Sequence, residues 1–167
     1  PKLAISAASS IDLSGPGNDV ERLAAQTTTG SVLYADSNSF IVNEVDGVAG
    51  LQGDMGSLVL DAGGDATIDV NAPLAGAEIT LNSGQLVLGI SDAMSDTAAV
   101  TLAAGASLDL SSQDETIGSL AGSGDVNLNE HTLTTGANDS TTSFSGVLAG
   151  AGGIAKTGSG AWTLTGT

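Results

Sequence analysis

Short bursts of alternating aliphatic residues recur along the chain, spaced roughly eight to eleven positions apart from Leu58 onward, and this rhythm limits the fold more than any other feature. The bursts are Leu3/Ile5, Ile11/Leu13, Leu58/Leu60, Ile68/Val70, Ile79/Leu81, Leu86/Leu88, Val100/Leu102, Leu108/Leu110 and Val126/Leu128. Side chains two apart share one face of a strand, so each burst reads as a short strand with one buried face. Between them lie Asp61-Ala62-Gly63-Gly64-Asp65, Asn82-Ser83-Gly84 and Ala104-Gly105-Ala106, residues that tolerate left-handed backbone and close tight turns. Two bursts make a unit of about twenty residues.

Many short strands at this spacing suit either an antiparallel sandwich or barrel, or a parallel β-solenoid. The solenoid fits better. The bursts are too short for sandwich strands, their inward residues are uniformly Leu, Ile and Val, and proline occurs only at Pro1, Pro16 and Pro73. Of the 167 residues, 41% are apolar but only 2% aromatic, which predicts a thin core of small aliphatic layers. About eight coils are expected, stacked into a rod on the order of 40 Å long at the spacing of hydrogen-bonded strands. Residues 15–50 are less regular. Gly15-Pro16-Gly17-Asn18 is a turn, and Asp19 either caps a short helix over Val20–Ala25 or precedes a strand there. Phe40–Val45 reads as one strand.

Thr116-Ile117-Gly118-Ser119-Leu120-Ala121-Gly122-Ser123-Gly124-Asp125-Val126-Asn127-Leu128 resembles the repeat of bacterial autotransporter passenger domains. So does the stretch from Phe144 to Gly166, with a Ser145-Gly146-Val147 step, a Gly-rich turn, Ile154-Ala155-Lys156-Thr157-Gly158 and a final Thr163-Leu164-Thr165; Trp162 departs from the pattern, where Thr or Leu is usual. Gly17-Asn18-Asp19-Val20, Leu23-Ala24-Ala25, Tyr34-Ala35-Asp36-Ser37-Asn38 and Val45–Leu51 are similar to segments of filamentous-haemagglutinin-type exoproteins. The resemblance implies an all-β fold, a right-handed parallel β-helix, with residues 1–56 as a less regular haemagglutinin-like part and 57–167 as regular passenger-type repeats of a single segment. It also implies type V secretion, an outer-membrane translocator as partner during export, and a place at the bacterial cell surface. A chain opening at Pro1 without a signal peptide and breaking off after the alternation at Leu164 reads as a mature product or a piece of a longer one.

Charge and chemistry narrow the function. Nineteen acids against three Lys plus Arg give a net charge of -16, a field that repels phosphate backbones and anionic headgroups, so no nucleic-acid partner is expected. There is no cysteine, hence no thiolate nucleophile and no Cys-ligated zinc. His131 is the single histidine, and no nucleophile elbow surrounds any serine, so it reads as a solvated turn residue. Acids gather at Asp61/Asp65/Asp69, Asp92/Asp96 and Asp114/Glu115, each beside a turn, where solubility and turn chemistry explain them. The cations Lys2, Arg22 and Lys156 are scattered, which counts against a site for acidic sugars. Gly63-Gly64-Asp65-Ala66-Thr67 lacks the continuation of a calcium-binding nonapeptide, leaving weak, nonspecific Ca²⁺ association. Gly150-Ala151-Gly152-Gly153 lacks the Lys-Ser/Thr of a phosphate loop. Asn138-Asp139-Ser140 matches a glycosylation acceptor by chance. No catalytic, cofactor or metal residue is assigned. The expected function is a structural or adhesive stalk that binds a cell-surface receptor, a glycan or a neighbouring bacterial cell, or displays a distal module, with end-to-end self-association through open coil ends; the alternative is a polysaccharide-binding or polysaccharide-cleaving β-helix.

Overall fold

Each aliphatic burst stacks on its counterpart one coil away. The computed structural model describes residues 1–15, 17–111 and 113–166, and all of its regular structure is strand. In chain order the strands are β1 (Lys2–Ala7), β2 (Ile11–Leu13), β3 (Arg22–Ala35), β4 (Phe40–Val42), β5 (Glu44–Val45), β6 (Val48–Ala49), β7 (Leu51–Asp61), β8 (Thr67–Val70), β9 (Leu74–Ser83) and β10 (Gln85–Leu88). They continue as β11 (Ala99–Leu102), β12 (Ser107–Asp109), β13 (Glu115–Ile117), β14 (Ser119–Gly122), β15 (Asp125–Asn127), β16 (Thr132–Thr135), β17 (Thr142–Phe144), β18 (Leu148–Ala149), β19 (Gly153–Lys156) and β20 (Trp162–Leu164). Every pairing is parallel except β5 with β6, so the fold is a parallel β-solenoid of about eight turns.

One column runs the whole length. Leu13, Tyr34, Leu60, Leu81, Leu102, Gly122, Phe144 and Leu164 are consecutive register partners, separated by 21, 26, 21, 21, 20, 22 and 20 residues. On a second face Phe40, Ile68, Leu86, Leu108, Val126 and Leu148 superimpose in the same way. A third column holds Ile5, Ala25, Leu51, Leu74 and Met94. Burying one such aliphatic side chain is worth about 1.5–3 kcal/mol, and the columns join into one continuous core cluster, so stability accumulates coil by coil. Ring size is balanced along the first column. Phe144 lies opposite Gly122, whose φ of +107° suits glycine and where a Cβ would collide with the Leu102 carbonyl.

Two local expectations resolve or change. The stretch Val20–Ala25 that read equally as helix or strand enters the strand Arg22–Ala35, with Leu23, Ala25 and Thr27 buried. Its alternation was obscured because Ala24, which points the other way, is also buried: the β5–β6 hairpin packs on β1 and β3 and buries its own Val45. The single strand expected over Phe40–Val45 is instead divided at Asn43, whose Oδ1 accepts the Glu44 N–H at 2.8 Å as the chain leaves the stack. Asp46 and Gly47, at φ +50° and +82°, close the hairpin as a tight turn with both residues left-handed. In the turn at Gly15–Asn18, Pro16 lies outside the described residues.

Candidate functional site

The acids that crowd the sequence are dispersed by the coil. Asp61, Asp65 and Asp69 line three different surface depressions. One depression, about 380 Å³, is lined by Glu21, Arg22, Ser39, Phe40, Ile41 and Asp69. It brings the Arg22 cation beside the acids Glu21 and Asp69. A second, about 350 Å³, is bordered by Ser14, Asp36 and Asp61. Asp36 is buried and fully engaged, accepting from the Val20 N–H at 3.1 Å, the Tyr34 hydroxyl at 2.8 Å and the Asn38 N–H at 3.0 Å. Burial, and then the Asp36 carboxylate, push the Tyr34 phenol well above its ordinary range, so it stays a neutral donor.

Around His131 the geometry is that of a turn. Its Nδ1 lies 3.6 Å from Asp114 Oδ1, the same oxygen that accepts the Thr132 N–H at 2.7 Å. Among the described residues no serine is hydrogen-bonded to the imidazole, and no three His, Asp or Glu side chains gather as a metal site. The Asn138 side chain is engaged as well: its Nδ2 donates to the Ser119 hydroxyl at 3.0 Å and its Oδ1 accepts the Ser140 N–H at 3.1 Å. An amide tied into the stack in this way is poorly placed to receive a glycan. Next to it, the Ser159 N–H and hydroxyl, one coil on, hold the Asp139 carboxyl below the usual carboxylate range.

Two polar constructions were not anticipated from the sequence. Asp109 clamps three coils on the second face. Its Oδ1 accepts from the Ser111 N–H at 2.7 Å and Asn129 Nδ2 at 2.8 Å, and its Oδ2 from Asn127 Nδ2 at 3.1 Å and Gln85 Nε2 at 3.5 Å. The coil spacing from Gln85 through Asp109 to Asn127 is the signal that could have revealed it, since all three lie near the same place in successive turns.

The other construction corrects the reading of Asp114/Glu115 as solvated turn acids. Glu115 points into the core and is 2% exposed. Its Oε2 accepts the Ala93 N–H at 3.0 Å and its Oε1 the Met94 N–H at 3.1 Å. Burial outweighs these two bonds, and with Asp92 and Asp96 nearby it pushes the carboxyl up to about 7. The alternation of Glu115 with Ile117 in a strand was the available signal, masked by the charge.

Compared with protein-family models, curated proteins and solved structures, the chain matches none. What the fold itself defines is a parallel β-solenoid whose outward residues are mostly small, polar or acidic.

Proposed function

We propose that this solenoid is a structural or adhesive stalk of a bacterial protein exported to the cell surface by type V secretion, without catalytic chemistry of its own. The observation that supports this most is the unbroken column from Leu13 to Leu164: each coil repeats the geometry of the last, which makes length rather than a unique cleft the product of the sequence. A stack of this kind folds by adding one coil to the next, so folding outside the cell supplies a pull during export through the outer-membrane translocator. The partner is a receptor, a glycan or a neighbouring cell.

A stalk tolerates loss of a whole repeat. Removing residues 58–78 joins Ser57 to Ile79 and lets Ile79 take the place of Leu58 on Val32. The shortened chain should remain a cooperatively folding β protein, about 4.8 Å shorter by electron microscopy or scattering, and should still support surface adhesion. Loss of adhesion with the fold intact would instead favour a site built at one place on the rod, as the polysaccharide-binding or polysaccharide-cleaving reading requires.

A further inference from the structure

The third column is interrupted at one rung. Leu74 bridges to Met94 in parallel, and Glu115, Leu133 and Ile154 continue as register partners, but β13 is the edge of a separate three-stranded sheet. Between Met94 and Glu115, where every other coil of this column offers a backbone carbonyl or an aliphatic side chain, the connection is made by the Glu115 carboxylate reaching back to the Ala93 and Met94 N–H groups. The side chain thus does two jobs: it fills a core position and it satisfies two backbone donors that the broken ladder leaves open.

We propose that Glu115 is a proton-operated joint on the third face of the solenoid, between the Met94 coil and its own, and that the folded chain is more stable when this carboxyl is protonated than when it is ionised. The inference does not depend on the stalk reading. It rests on a carboxylate placed in the core with no cation beside it. The turn above presents Asp92 and Asp96, both negative. Its own strand is preceded by Asp114, which faces His131. The coil below presents Leu133 at the register position, and the single cation beyond, Lys156, pairs with Ile117 only through Thr135. Every charged neighbour named on the Met94 side therefore opposes ionisation.

The sign follows from linkage. A carboxyl raised in the folded chain to about 7, above its ordinary value of 4.5, binds its proton more tightly folded than unfolded. The penalty for the carboxylate is fully present above pH 7 and is relieved as pH falls from 7 toward 4.5. Across that window one extra bound proton lowers the unfolding equilibrium constant by up to about tenfold per pH unit.

Denaturant unfolding of the whole chain between about pH 5 and pH 8 tests this, with E115Q and H131Q measured beside it. The H131Q variant is needed to separate the Glu115 carboxyl from the neighbouring His131–Asp114 contact. The expected result is an acid gain in the parent chain that H131Q keeps and E115Q loses. The proposal fails if E115Q retains the parent slope, or if the gain disappears in H131Q instead. Should E115Q not fold, carbon-13 carboxyl titration of the parent chain decides: of the five glutamates, one titrating near neutrality supports the joint, and all five titrating in the ordinary carboxylate range overturns it.

Discussion

The coils before and after Leu58 solve the same packing problem differently. In the first part, β3 runs 14 residues and β7 runs 11, each passing through two faces without a turn, and their pairing slips in register between Thr27 and Val32. The coil from Val32 to Leu58 takes 26 residues, because the hairpin Glu44–Ala49 is inserted into it. After Leu58 the coils settle to 20–22 residues; β9 still runs 10 residues, but every strand beyond it is short and set off by turns rich in Gly, Asn and Ser. The aromatics follow the same division. Tyr34 and Phe40 meet edge to face at 4.9 Å in the first part, Phe144 and Trp162 lie 6.4 Å apart near the last coil, and the rungs from Leu58 to Leu120 hold no aromatic side chain. Uniform layers make a middle that can be extended, while irregular pieces mark where something else is fastened on.

Replacing Leu108, fully buried in the uniform stretch, by Asp should have the largest effect. A lone carboxylate in that column costs at least about 4 kcal/mol, so the chain should lose its cooperative transition by circular dichroism and, on the secretion reading, stall in export. The same change at Leu13, half-buried on the first rung, should leave a folded chain with a lower midpoint. Equal damage at both positions would erase the distinction between interior and end coils. Normal secretion of Leu108→Asp would remove the folding-driven export idea.

A smaller effect is expected at the insertion. Val45→Ser removes the buried aliphatic side chain of the hairpin, which packs on β1 and β3, and should cost about 1–2 kcal/mol. The loss should be local. Trp162, the sole tryptophan, sits in the last coil with its Nε1 donating to the Leu120 carbonyl at 3.1 Å, two coils back. Its fluorescence transition should move less than the far-ultraviolet signal. Coincident shifts would show that the hairpin is coupled to the entire rod.

Much of this organisation was legible in the residues. The bursts at Leu58/Leu60, Ile79/Leu81 and Val100/Leu102 are period-two patterns, and each occupies the core face that such a pattern predicts. The third face was legible only at its first rung, Leu3/Ile5, because it continues through Ala25, Leu51, Leu74 and Met94 in stretches that carry no alternation. The hairpin went unread although Asp46-Gly47 between Val45 and Val48 is a strong turn signal; the expected strand over Phe40–Val45 absorbed it. Glu115 and Asp109 were hidden for a different reason. Acids beside turns normally face water, and only the inter-coil register reveals that one of these reaches buried backbone donors and the other three neighbouring amides.

Because the chain has no cysteine, introduced pairs report register without background. Thr80 and Thr101 are register partners on adjacent parallel strands and point outward, whereas Ala121 lies one coil further on. The parallel stack predicts that the T80C/T101C chain closes a disulfide readily under mild oxidation, since neighbouring strands place the two Cα atoms within bonding range, and that T80C/A121C does not. Failure of the first pair in a folded chain, or equally ready closure of the second, would contradict a solenoid of superimposed parallel coils.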